Sequence, residues 1–111
     1  MIYETLTYAV DHNVAVITLN RPTVMNALNS QMRAEITDAV GQAGQAARVV
    51  VLTGSGRAFC SGQDLGAEGN FADIDLERTL KDEYVPMLKA ITECPVPTIS
   101  AVNGPAAGAG A

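Results

Sequence analysis

The sequence predicts an α/β fold. Three observations carry it. Strand-like and helical segments alternate along the chain. Val49-Val50-Val51-Leu52 is a continuous apolar run of the kind a parallel sheet covers on both faces. Two further segments repeat apolar residues at helical spacing. A chain of 111 residues suits one domain at most, and no internal repeat or low-complexity stretch divides it.

The elements follow in order. Ile2–Tyr8 and Val14–Asn20 read as strands, with Asp11-His12-Asn13 as the turn of a hairpin. Arg21-Pro22 ends the second strand, because proline cannot continue the ladder. Asn29 or Ser30 caps a helix whose apolar face is Met32, Ile36, Ala39, Val40 and Ala43. Gly41 and Gly44 are expected to weaken its end. Arg48–Thr53 is a strand, and a loop runs from Gly54-Ser55-Gly56 to about Gly69. Leu76–Thr92 is helical by pattern, through Leu80, Tyr84, Met87, Leu88 and Ile91. Pro86 lies inside it, which predicts a kink or two helical pieces. Cys94-Pro95-Val96-Pro97 is a rigid connector, and Thr98–Val102 is a short buried strand. Asn103–Ala111 is small and glycine-rich. A strand with such a loop leads into a helix, and none follows, so the sequence reads as cut.

Composition removes several function classes. Hydrophobic residues make up 48% and charged residues 17%, enough apolar material for a core and too little charge for disorder. The net charge is -5, and no basic stripe is visible, so nucleic acid is not an expected partner. Cys60 and Cys94 form no CxxC pair and read as free thiols of a reducing compartment, with no metal site. The N-terminus lacks a signal-peptide pattern. No apolar run approaches the ~20 residues of a membrane span. The expectation is a cytoplasmic protein away from membranes.

His12 is the sole histidine and falls in a turn, away from any nucleophile of a triad. No GxxxxGK[ST] loop occurs. Gly54-Ser55-Gly56 fails the dinucleotide pattern because Phe59 stands at the third glycine, and Gly104, Gly108 and Gly110 are wrongly spaced. Asp73, Asp75, Glu77, Asp82 and Glu83 read as a solvated face, not a metal cluster. What remains is backbone chemistry. Phe59–Leu65 and Asn103–Ala111 each follow a strand and carry small residues that admit a ligand close to the main chain. If both lie at the same end of neighbouring strands, their N–H groups can converge on one oxygen as an oxyanion hole. Tight turns and close packing account for one such loop; two favour the functional reading.

These stretches resemble the enoyl-CoA hydratase/isomerase (crotonase) family. The resemblance runs through Val14–Pro22 with Asn26-Ala27-Leu28-Asn29, through Val49–Gly54 with Arg57–Leu65, and through Pro97–Gly104. It implies a crotonase-like spiral of ββα units, of which residues 1–111 would be the N-terminal part of a single truncated domain. It implies an acyl-CoA hydratase or isomerase acting on a CoA thioester, with no cofactor beyond the CoA of the substrate. It implies a homotrimer or hexamer at full length. By position, the oxyanion donors would be the N–H groups of Gln63 and Ala109, where side-chain identity matters little. Met25, Ala27, Arg57, Ser61, Gly62, Asp64, Leu65 and Gly108 would line the substrate channel, with Arg57 able to meet a CoA phosphate. The two glutamates that handle water and proton in hydratases would lie beyond Ala111, so the fragment alone is expected to be inactive. Gly62-Gln63-Asp64-Leu65 with Ala106–Ala111 further resembles the PaaG-like ring-epoxide isomerases. Two readings from other classes stay open: a nucleotide-binding α/β module, and a crotonase fragment without catalysis.

Overall fold

The computed structural model describes residues 2–64 and 75–111. β1 (Leu6–Asp11) and β2 (Val14–Leu19) form the hairpin. It turns on two residues, His12 (φ 50°) and Asn13 (φ 67°). Positive φ at both turn positions matches the twist of the strands, so Asp11 joins β1 and the strand starts later than Ile2. α1 (Ser30–Ala46) crosses to β3 (Val49–Gly54), which runs parallel to β2. A second helical crossover leads to β4 (Thr98–Ala101), parallel to β3. The sheet order is β1-β2-β3-β4.

Asn29 caps α1, its side chain accepting from Met32 N–H at 2.8 Å. Met32, Ile36, Ala39, Val40 and Ala43 are buried, as their spacing predicts. The helix runs past both glycines to Ala46. Gly41 faces open space, and Gly44 lets the Cys94-Pro95 connector approach, since a Cβ there would lie 3.0 Å from the Pro95 ring.

The second helix is continuous from Leu76 to Thr92. It comprises α2 (Leu76–Thr79), a π-helical turn (Leu80–Tyr84) and α3 (Val85–Thr92). The Val85 N–H reaches back to the Leu80 carbonyl. Pro86 lacks an N–H and crowds the preceding turn, and the widened turn just before it accommodates both effects without breaking the helix. Tyr84 and Met87 enter the core, but Leu80 and Leu88 stay more than half exposed.

Two strand expectations need correction. The helices pack on the sheet face carrying Ala15, Ile17, Leu19 and Val50, all buried. The other face, with Val14, Val16, Val49 and Val51, is only half buried. β3 is thus covered on one face, not two. β4 is exposed along its whole length, and among the described residues it lies at the sheet edge beside β3.

The chain before β1 is tied down by a buried carboxylate. Glu35 of α1 accepts from Glu4 N–H (2.9 Å), Thr5 N–H (2.9 Å), the Thr5 hydroxyl (2.9 Å) and the Gln31 amide. Burial pushes its pKa up, but the hydrogen bonds from Gln31, Thr5 and Glu4 outweigh it and hold the carboxyl below the ordinary glutamate value. The unfolded chain, with a glutamate pKa of about 4.3, therefore binds the proton more readily than the folded one. Glu35 contributes stability above that pH, and the contribution is lost as pH falls through the folded pKa. Glu35→Gln should lower stability near neutral pH by about 1.5–3 kcal/mol. It should also make the fall in Tm on the acid side shallower than in the wild type, as read by thermal unfolding across a pH series.

Candidate functional site

β3 and β4 are parallel and in register, Thr53 opposite Ala101, so the loops that leave them start side by side at one end of the sheet. Ligands of open α/β sheets bind at these carboxyl ends. Residues 55–64 contain no helix, so the Gly54-Ser55-Gly56 stretch does not open one as a phosphate loop would.

The loops are stitched together by their main chains. Phe59 N–H donates to the Pro105 carbonyl at 3.0 Å, and Ala107 N–H to the Cys60 carbonyl at 3.1 Å. Two asparagines add side-chain ties. The buried Asn26 amide donates to the carbonyls of Ser55 (3.0 Å), Ala58 (3.0 Å) and Phe59 (3.1 Å), and accepts from Arg21 N–H at 2.8 Å. Asn103 donates to the carbonyls of Gly56 and Ala58, both at 3.1 Å, and accepts from Gly54 N–H at 3.1 Å. Glycine is required where the loops touch. A Cβ on Gly104 would lie 2.1 Å from the Arg57 carbonyl oxygen, and one on Gly110 2.2 Å from that of Cys60.

Gly62 and Gln63 face the second loop. An ideal Cβ on Gly62 would lie 3.6 Å from the Ala109 nitrogen. The Gly62 carbonyl accepts from Leu28 N–H at 2.7 Å, and Asp64 N–H donates to the Leu28 carbonyl at 2.9 Å. In a planar trans peptide the C=O and N–H point opposite ways, so the Gln63 N–H points away from Leu28. Ala109 sits in a 3-10 turn (Gly108–Gly110) whose hydrogen bonds come from Gly110 and Ala111. Amides at the start of such a turn are not used by it.

Gln63 and Ala109 share the wall of a cavity of about 400 Å³, completed by Leu76, Thr79, Leu80, Tyr84 and Leu88. This explains the exposure of Leu80 and Leu88: their helical spacing faces a cavity, not the core. Among the described residues the lining holds no carboxylate and no histidine, so these residues can bind an apolar group and donate to an oxygen beside it.

The other sequence candidates are placed differently. Gly108 adopts φ 53° in the second loop. Met25 and Ser61 meet through the Ser61 N–H to Met25 carbonyl bond at 3.1 Å, Ala27 is buried, and none of the three is among the described residues lining the cavity. Arg57 is exposed. Asp64 pairs with Arg21 at 2.9 Å. Leu65, the loop to Gly69 and Asp73 lie outside the described residues. His12 is exposed at the hairpin turn, 3.0 Å from Asp11. Burial pushes the Cys60 thiol up, only partly countered by the Gly62 N–H, which suits an inert core cysteine. Among the described residues no group of His, Cys, Asp and Glu could hold a metal ion.

One network was not foreseen. Arg33 of α1 is 1% exposed. It binds Glu83 through Nε (2.9 Å) and NH2 (2.7 Å), the Leu28 carbonyl (2.9 Å), Ser30 Oγ (3.2 Å), Tyr84 Oη (3.2 Å) and Gln63 Oε1 (3.1 Å). The Tyr84 hydroxyl also donates to Gln63 Oε1. Glu83 is therefore not part of a solvated face. Burial pushes its carboxyl up, but the hydrogen bonds of Arg33, Ser30 and Arg78 and the Arg33 charge hold it below the ordinary value. Asp75 caps α2 by accepting from Arg78 N–H at 3.0 Å.

Comparison with known proteins agrees with this architecture. The sequence family described as Enoyl-CoA hydratase/isomerase matches residues 9–111. A Rhodobacter capsulatus protein named "Probable enoyl-CoA hydratase" is 58% identical over the whole chain, which covers 43% of that protein. The 1,2-epoxyphenylacetyl-CoA isomerase of Escherichia coli is 38% identical over 107 residues, 92% of this chain and 41% of that one. The crystal structure of an enoyl-CoA hydratase/isomerase from Xanthobacter autotrophicus superposes with a TM-score of 0.88 at 36% identity, covering 98% of this chain and 42% of that one. The chain thus spans about two-fifths of the length of the relatives it matches.

The contact between the loops should be sensitive to one methyl group. Gly104→Ala places a Cβ on the Arg57 carbonyl and should cost about 1–3 kcal/mol, seen as a lower Tm. An unchanged Tm would mean that the loops do not meet as described.

Proposed function

This chain belongs to the enoyl-CoA hydratase/isomerase family, and we propose that it carries the oxyanion hole of an acyl-CoA hydratase or isomerase. The observation that carries the reading is convergence. The loops after two neighbouring parallel strands meet, and Gln63 and Ala109, one from each, face one cavity. The thioester oxygen of an acyl-CoA would accept from the N–H groups of Gln63 and Ala109. Its acyl group would occupy the apolar wall of Leu76, Leu80, Tyr84 and Leu88.

The chemistry follows from where charge develops. When water adds across an enoyl thioester, oxygen bonds to carbon 3 and electrons move onto the thioester oxygen as an enolate; a proton then reaches carbon 2. When a double bond migrates, a proton leaves one carbon of the acyl chain and another is gained elsewhere, through the same enolate. Two preplaced donors stabilise that oxygen more in the transition state than in the substrate. Proton transfer requires groups beyond the described residues of this lining, and it decides between hydration and isomerisation.

The kinship with the Escherichia coli epoxyphenylacetyl-CoA isomerase favours a second reading, a ring-epoxide acyl-CoA isomerase using the same hole. For the full-length protein we further propose a cytoplasmic homotrimer or hexamer. Among the described residues no helix is long and apolar enough to cross a membrane.

The test is turnover by the full-length natural protein. It should hydrate a 2-enoyl-CoA or isomerise an acyl-CoA, and a ring-epoxide substrate separates the two readings. Ala109→Pro removes one N–H at the start of a turn, where proline fits, and should lower kcat about 10²–10³-fold. An α-hydroxy acid at position 109, which replaces the amide by an ester, removes the same donor without a ring. An unchanged kcat in that folded variant would refute the assignment of Ala109.

A further inference from the structure

We propose that Tyr84 and Arg33 are positioning residues that fix the Gln63 amide through its side-chain oxygen. The inference rests on the oxyanion reading and adds a device to it. The Gln63 N–H belongs to the Gly62–Gln63 peptide. Gly62 has φ 106°, a conformation that glycine enters without steric cost, so it does not by itself lock the peptide. One side of that peptide is held through its carbonyl by Leu28 N–H at 2.7 Å. The Asp64 N–H to Leu28 carbonyl bond at 2.9 Å holds the same side, so the cavity side is left to other groups.

The side chain supplies the second constraint. Gln63 Oε1 accepts from the Tyr84 hydroxyl and from Arg33 NH1 at 3.1 Å. Two donors on one carboxamide oxygen, from different elements, fix the side-chain torsions and so the Cα position. Both donors are themselves immobilised. Arg33 lies 4.7 Å over the Tyr84 ring and is clamped by Glu83. The same guanidinium binds the Leu28 carbonyl at 2.9 Å, so it holds both partners of the Leu28–Gln63 bridge. The side chain of Gln63, discounted when only its N–H is considered, thereby becomes the handle by which the fold aims that N–H. Tyr84 also lines the cavity. Its ring serves the wall and its hydroxyl serves Gln63.

The experiment is a double-mutant cycle on kcat in the full-length protein. Tyr84→Phe keeps the ring and removes the hydroxyl; Gln63→Met keeps side-chain length and removes the acceptor. Each should lower kcat about five- to tenfold with KM changed less than about twofold, the size expected for one hydrogen bond of this kind. The double variant should lose no more than either single one, because Tyr84 acts through Gln63. A purely packing role would make the losses multiply. Turnover with multiplicative losses, or with Tyr84→Phe unchanged from wild type, would overturn this inference alone. Absence of any acyl-CoA turnover by the wild-type protein would overturn it together with the oxyanion reading.

Discussion

The guanidinium of Arg33 is the point on which the site's geometry depends. A charge buried to 1% exposure loses most of its hydration, and Glu83 and four further acceptors replace it. Such a pair adds little net stability over an apolar replacement of similar volume. Its worth here is directional. A flat fork of donors cannot be satisfied unless α1, the π-helical turn and the Leu28–Gln63 bridge stand in one arrangement. Leucines at these positions could fill the volume but would not hold the Leu28 carbonyl or the Gln63 oxygen.

A second constraint acts on the loops themselves. The Ala58 carbonyl accepts from both Asn26 and Asn103, so the first loop is held from the hairpin side and from the β4 side at a single atom. Parallel pairing of β3 and β4 brings the two loops out together, and glycines at 104 and 110 let their main chains touch. The sheet sets the position of the loops, the asparagines set their path, and the Arg33 network sets the orientation of one peptide. The two asparagines and Arg33 are not among the residues that line the cavity, whereas Gln63 and Tyr84 are.

Much of this architecture is legible in the amino-acid order, for definable reasons. The buried face of α1 follows a strict helical period, and Asn29 is an N-cap by chemistry alone. The two loops stand out because their composition is small and each follows a strand. The rest needs partners distant in sequence. Arg33 and Glu83 lie fifty positions apart, and a glutamate beside other acidic residues reads as solvated until its partner is known. Leu80 and Leu88 share the spacing of a core stripe, and pattern does not distinguish a core from a cavity wall. The hairpin register turned on two non-glycine residues with positive φ, His12 and Asn13, which periodicity does not reveal. Burial of β3 and β4 depends on what covers the outer sheet face, which no single strand encodes.

The central claim is geometric, that one oxygen is held by one N–H from each loop. A crystal structure of the full-length protein with a bound acyl-CoA tests it most directly. The account predicts the thioester oxygen within about 2.7–3.1 Å of both the Gln63 and Ala109 nitrogens. A thioester oxygen lying more than about 3.5 Å from either nitrogen, beyond hydrogen-bond reach, would contradict it.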